Sequence, residues 1–396
     1  MRWKSVFPVV LLFAIVGCNS PSKPEPSSHA TAAQKWNVAR AGVLGSLATE
    51  QYKGGNLDKA RGTVDQAMTM DPQNAALRVL SAKIAIEQSQ LDLAEKELRR
   101  AQLMDARNAE ADYLCGMVYQ RWQKADTAYN LYMTAASKAP TELAYTLAAA
   151  EMLVDMDRSD EALNMLMSKT EAFEHNAVIR DTVGQLLVGK GRYAEAIQMF
   201  RQASMLATDD DSIKEHMALA LYFNKQYRES ADVLVRLTAD EKYKQRVDLY
   251  LALGECYANT GKQAEAKATY EAATQVSPGT AEAWTGLARI SLERNDTRRA
   301  ETSLRKAISL DPAASEPQLL LGYLRVRQNR LSDALPLFKK ASALNQSDTV
   351  SLCMIGYVYE KTGKSELAIQ CYAKALKIRP GDELATKLLA SLETNQ

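Results

Sequence analysis

The chain has 396 residues, 46% of them apolar, which is too long for a single compact core and suits either several domains or an elongated repeat array. Its 49 basic and 48 acidic residues nearly cancel, which excludes both the basic footprint of a nucleic-acid binder and an acidic tail. Gly and Pro are scarce (18 and 11) while Ala and Leu are abundant, so the composition leans helical.

The first element is an address. Arg2 and Lys4 precede an apolar run from Val6 to Val16, broken by Pro8. About 20 apolar residues are needed to cross a bilayer, so this run is too short to span and reads as a secretory signal peptide over residues 1–17. It ends in Ile15-Val16-Gly17-Cys18, which resembles a bacterial lipobox, with Ile15 where leucine is commoner. The resemblance implies that Cys18 carries lipid and becomes the new N-terminus. Buried acyl chains contribute about 0.8 kcal/mol per methylene, so such an anchor holds. Asn19, where Asp would favour the inner membrane, implies by the same resemblance an outer-membrane protein facing the periplasm. Residues 18–30, rich in Pro and Ser, read as a flexible tether behind the lipidated cysteine.

From Ala41 one pattern recurs every 34 residues, with units starting at 41, 75, 109, 143, 177, 211, 247, 281, 315 and 349, and two extra residues in the sixth. The eighth position is Ala or Gly in every unit, from Ala48 to Gly356. The twentieth is Ala except for Ser230, and the twenty-fourth is always large and apolar, as in Leu98, Phe200 and Tyr372. The twenty-seventh is Ala except for Lys169 and Leu237, and Pro72, Pro140, Pro278, Pro312 and Pro380 occupy the thirty-second. Positions 7, 8 and 11 share one helical face and 20, 24 and 27 another. Small residues let the two helices approach while the large one fills the space beside them. Turn residues such as Gly54-Gly55-Asn56, Gly191-Arg192 and Gly261-Lys262 separate the helices. Units four and six fit worst, since they hold Lys169, Ser230 and Leu237.

These columns resemble the tetratricopeptide repeat, with Trp284, Leu287, Ala288, Ala300, Leu304, Ala307 and Pro312 forming the nearest single copy. The resemblance implies an all-α fold, a right-handed solenoid superhelix of ten helix-turn-helix units. The array is expected over residues 31–382, followed by a capping helix and tail over 383–396.

Chemistry-bearing motifs are sparse. Gly184 to Lys190 imitates the start of a phosphate-binding loop, but Gly191 stands where Ser or Thr would reach a metal, and Gly363-Lys364-Ser365 has its upstream glycine, Gly356, too far away. Both read as interhelical turns, so no nucleotide is expected. His29, His175 and His216 form no metal-spaced pair, and Cys18, Cys115, Cys256, Cys353 and Cys371 form no C-x-x-C pair, although Cys353 and Cys371 share a unit. The reading is a non-enzyme with no catalytic residue, metal or cofactor.

The resemblance also implies a concave wall at positions 2, 5, 9, 12 and 13 of the first helices. There the candidate ligand-binding residues are Tyr113, Glu151, Asp155, Asp181, Glu215, Leu219, Tyr222, Phe223, Asp248, Glu255, Tyr323 and Tyr357, and the apolar set adds Val79 and Ile86. Units four to seven place six acids and no base on these positions, which predicts a Lys- or Arg-bearing ligand with apolar anchors. The Lys and Asn pattern with which relatives clamp a terminal carboxylate does not occur. The expected partners are other proteins or extended peptides, with the membrane reached through the N-terminal lipid. The expected role is an envelope scaffold or adaptor that assists a pilus, secretion or polysaccharide-export machine. The alternative is a regulator that binds cell-wall glycan or its synthases.

Overall fold

The computed structural model describes residues 28–393, so the signal segment, Cys18 and residues 19–27 lie outside the described part. Among the described residues there are 21 α-helices, one 3-10 turn and no strand. The first helices of the ten pairs are α1 (Ser28–Lys53), α3 (Ala75–Glu87), α5 (Ala109–Arg121), α7 (Leu143–Asp155), α9 (Ala177–Gly189), α11 (Asp211–Phe223), α13 (Val247–Asn259), α15 (Ala281–Glu293), α17 (Ser315–Arg327) and α19 (Thr349–Lys361). The second helices are α2 (Leu57–Met70), α4 (Leu91–Met104), α6 (Ala125–Lys138), α8 (Ser159–Met167), α10 (Tyr193–Leu206), α12 (Tyr227–Ala239), α14 (Gln263–Val276), α16 (Thr297–Leu310), α18 (Leu331–Leu344) and α20 (Ser365–Ile378), and α21 (Glu383–Glu393) follows. From α3 on, each first helix starts on the residue that opens a 34-residue unit. The tether reading runs three residues too far, because α1 begins at Ser28. Pro26 is the last residue that resists a helix there, and the Ala-rich stretch behind it favours one.

The chain divides into two compact units, one ending at Ala162 and one beginning at Leu163. The boundary falls inside α8, which has nine residues where most second helices have fourteen. Its shortness explains Lys169: the residue lies beyond the helix end and is exposed, whereas Ala67 and Ala203 at the same repeat position are helical and buried. Ser230 fits because its hydroxyl donates to the Ala218 carbonyl at 2.8 Å. The connection that unit six lengthens by two residues folds as the 3-10 turn Glu241–Tyr243, whose Tyr243 is buried against Leu234, Leu237 and Leu249.

Two backbone devices recur. The fifteenth residue of every unit has positive φ and reverses the chain between helices. Gly55, Gly191, Gly261 and Gly363 do this freely, while Ser89, Gln123, Asp157, Lys225, Asn295 and Asn329 are held there at some cost in conformational energy. The turn is closed by bonds such as Gln90 N–H to Ala85 O at 2.8 Å. Several first helices are N-capped by Asn or Asp: the Asn108 side chain accepts from Ala111 N–H and that of Asp348 from Val350 N–H.

Packing within a unit comes in two forms. In units three, five, seven, nine and ten a glycine at the eighth position lies under an aromatic ring at the twenty-fourth: Gly116 under Tyr132, Gly184 under Phe200, Gly254 under Tyr270, Gly322 under Phe338 and Gly356 under Tyr372. A Cβ on Gly116, Gly184, Gly254 or Gly322 would lie 2.5, 2.5, 2.8 or 2.6 Å from a ring carbon, inside van der Waals contact. Units one, two, six and eight use Ala48 with Val64, Ala82 with Leu98, Ala218 with Leu234 and Ala288 with Leu304, all buried. Second helices then cover the following first helix, as α14 covers α15 through Tyr270, Leu287 and Ile290. At the C-terminal end α21 closes the last pair with Leu392 and Leu388 against Ala368 and Tyr372.

Candidate functional site

Within the unit that begins at Leu163, the first helices α11, α13, α15 and α17 line an open groove of about 580 Å³. Its apolar wall is Leu219, Tyr222 and Phe223 from α11 with Leu251 from α13. Phe223 is 48% exposed, and its ring stacks on Tyr193 at 5.4 Å and meets Tyr222 edge-on at 5.2 Å. The floor is Tyr270, a second-helix residue. Its ring reaches the groove because Gly254 on one first helix and Gly286 on the next present no side chain to it.

The polar centre is a triad of Glu255, Arg289 and Tyr270. Arg289 Nη2 donates to Glu255 Oε2 at 2.5 Å, and Tyr270 Oη donates to the same oxygen at 3.0 Å. Burial, reinforced by the Glu255 charge, pushes the Tyr270 phenol well above its ordinary value, so it stays a neutral donor. The lining carries five acids (Asp248, Glu255, Glu282, Asp311 and Glu316) and one base, Arg289.

The expected wall is partly rearranged. Arg246 lies between Glu215 (2.6 Å) and Asp248 (2.7 Å) and holds the Asp248 carboxyl below its usual range. His216 Nδ1 lies 2.8 Å from Asp181 Oδ1, and Arg289 neutralises Glu255. Four of the six acids counted in units four to seven are therefore paired with a basic group. Arg246 sits just before α13, off the concave positions, and so is not among the charges those positions carry. Glu215 and Asp181 lie outside the groove lining, as do exposed Tyr323 on α17 and half-buried Tyr357 on α19, the latter under Lys361 at 5.4 Å.

In the unit that ends at Ala162, Tyr113 packs between Tyr132 (5.4 Å) and Tyr145 (4.8 Å), Gln120 donates to Glu151 at 3.2 Å, and Asp155 is exposed at the end of α7. Val79 and Ile86, expected on the open wall, are each 3% exposed, being packed in the core that α3, α4 and α5 share. Cys115, Cys256, Cys353 and Cys371 are free thiols, and no three His, Cys, Asp or Glu side chains among the described residues gather as metal ligands. No helix among them is long and apolar enough to cross a membrane.

A family model described as "Cilia and flagella-associated protein 70 C-terminal domain", a tetratricopeptide array, matches residues 167–396, more than half of the chain. The chain belongs to this tetratricopeptide-repeat family. A second model, described as "Tetratricopeptide repeat", matches residues 51–118. Folds of this family are typically non-enzymatic protein-interaction scaffolds, and the paired helices of this chain have that fold. Over 196 residues it is 26% identical to lipopolysaccharide assembly protein B of Escherichia coli K12, covering 45% of this chain and 49% of that protein, and it matches the O157:H7 protein equally. The chain thus spans about half the length of the curated relatives it matches. Among solved structures it is similar to MamA (18% identity, 41% of this chain and 95% of that one, TM-score 0.37). It is also similar to the Cut9–Hcn1 hetero-tetramer of APC/C (14%, 93% and 86%, TM-score 0.42).

Proposed function

We propose that this tetratricopeptide protein is an envelope scaffold, lipid-anchored through Cys18 to the outer membrane and facing the periplasm, which grips an extended segment of a partner protein. The groove over α11 to α17 carries the reading: an open apolar wall of Leu219, Tyr222, Phe223 and Leu251 beside a lining of five acids and one base. An extended peptide would bury an apolar side chain against Phe223 and Leu251 and set a Lys or Arg near Glu282 and Glu316, where opposite charge speeds encounter. The likeness to lipopolysaccharide assembly protein B supports a role in envelope assembly, with a pilus, secretion or polysaccharide-export machine as the system served.

The test is site-specific photocrosslinking in cells. A photoreactive residue at Phe223 should give a discrete adduct with an envelope protein, and one at Met205, exposed on the second helix α10, should not. Charge reversal of Glu282 and Glu316 to Lys should weaken the adduct, most of all at low ionic strength. Adducts of equal strength at both positions would remove the groove from the reading. Fatty-acid labelling that persists in Cys18→Ser would remove the anchor.

A further inference from the structure

Among the described residues, the N-terminal end of the array is not closed in the way the C-terminal end is. The third and seventh positions of a unit, on its first helix, face the second helix of the preceding pair, and in α3 to α19 they are buried apart from half-buried Tyr145 and Met217, as at Leu77, Ile179, Leu253 and Leu287. In α1 the same positions are Val43 and Leu47, and they are 71% and 48% exposed. Trp36, 65% exposed, continues their line, since steps of 100° per residue place Trp36, Arg40, Val43 and Leu47 on one stripe of the helix. Terminal units of such arrays ordinarily carry a polar outer face. This one is apolar and aromatic.

The chemistry of the stripe selects its occupant. α1 contains Lys35 and Arg40 and no acid before Glu50. A second copy would bring the same basic stripe against itself. Residues 19–27 (NSPSKPEPS) have no large apolar side chain to offer it. A surface with negative charge outside and hydrocarbon beneath fits both parts: Trp lodges at a headgroup boundary, Val and Leu enter it, and Arg snorkels to phosphate. The chain length agrees, because the nine residues between Cys18 and Ser28 span at most about 30 Å.

We infer that the outer face of α1, through Trp36, Arg40, Val43 and Leu47, lies on the anionic surface of the bilayer and fixes how the array stands on it. The inference rests on the proposed Cys18 anchor, which brings α1 within reach of that surface. The experiment uses the full chain purified from membranes and mixed with vesicles of phosphatidylethanolamine and phosphatidylglycerol bearing brominated acyl chains. Trp36 fluorescence, isolated by comparison with Trp36→Phe, should shift to the blue and be quenched by the bromines. Val43→Glu with Leu47→Glu should reduce the quenching several-fold, as should Arg40→Glu, with the helical circular dichroism of the chain unchanged. Mass spectrometry of the same sample reads acylation at Cys18. An acylated, vesicle-bound chain whose Trp36 stays open to aqueous iodide overturns the inference and leaves the anchor standing. A chain without acyl groups whose Trp36 is still quenched by bromine supports the inference and removes the anchor. Shielding of Trp36 in a lipid-free dimer assigns the face to a second copy and overturns it.

Discussion

The units built on glycine and an aromatic ring and those built on alanine and an aliphatic side chain solve one packing problem in two ways. In unit five Gly184 leaves room for the Phe200 ring, and in unit eight Ala288 leaves room for Leu304. Both large residues are fully buried. The difference shows that the eighth and twenty-fourth positions are set jointly: the volume taken by a Cβ on one helix is surrendered by the side chain of the other. It also has a consequence for the groove. Where glycines on two successive first helices flank one ring, as Gly254 and Gly286 flank Tyr270, a second-helix residue becomes part of the first-helix surface.

Three changes test whether the two positions are set jointly. The largest effect is expected from Phe200→Ala, which empties a fully buried aromatic site over a glycine that cannot fill it, at a cost of about 3–5 kcal/mol. Urea unfolding should show a clear fall in the midpoint, and an unchanged midpoint would mean that the pair is slack. Next comes Gly184→Ala. In most helices this exchange gains about 1 kcal/mol, but here the new methyl meets the ring and the net cost should be about 1–3 kcal/mol. Adding Phe200→Leu to Gly184→Ala converts unit five to the unit-eight pairing and should recover most of that loss, as a double-mutant cycle would read. If the double mutant is merely the sum of the singles, the two positions are independent and the comparison fails.

The columns that pack within and between units were plain in the sequence because ten copies repeat them, so local exceptions do not hide them. The turn was half legible. Gly55, Gly191, Gly261 and Gly363 announce positive φ, but Gln123 and Lys225 adopt it because the two flanking helices demand the reversal, whatever the residue prefers. The groove was legible where it depends on first-helix positions, such as Leu219, Tyr222, Phe223 and Glu255. Two of its features were hidden. Arg246 stands just before α13, off the concave positions, where five other first helices are preceded by Asn or Asp. Tyr270 looked like core because nothing along the chain says that Gly254 and Gly286 lie on either side of one ring. An aromatic at the twenty-fourth position with glycine at the eighth of its own unit and the sixth of the next is the signal that would have found it. Val79 and Ile86 erred in the opposite direction, since the neighbouring helices close over them.

The smallest expected effect is a titration that reports on the glycine–aromatic pair of unit five from outside it. The imidazole of His216 on α11 lies 5.8 Å from the Phe200 ring, and its Nδ1 lies 2.8 Å from Asp181 on α9. The hydrogen bond to Asp181 leads the influences that raise its pKa; desolvation opposes, and the charges of Asp181, Glu215 and Asp210 add to the rise. A raised folded-state value means that the contribution to stability is complete below the ordinary value of about 6.5 and is lost as pH rises through the folded value. The packing of α9 against α11 should therefore loosen slightly from mildly acidic to mildly alkaline pH, a change that Asp181→Asn removes. An NMR titration of the His216 ring protons should give a midpoint above about 6.5 in the wild type and a lower one in Asp181→Asn. The same protons sense the Phe200 ring current, so Gly184→Ala, which pushes that ring aside, should move their shift, and Ala288→Gly in unit eight should not. A wild-type midpoint at or below the ordinary value would show that Asp181 does not hold the proton. A shift that ignores Gly184→Ala would show that the ring has not moved, and with it that the glycine at the eighth position is not what makes room for the aromatic.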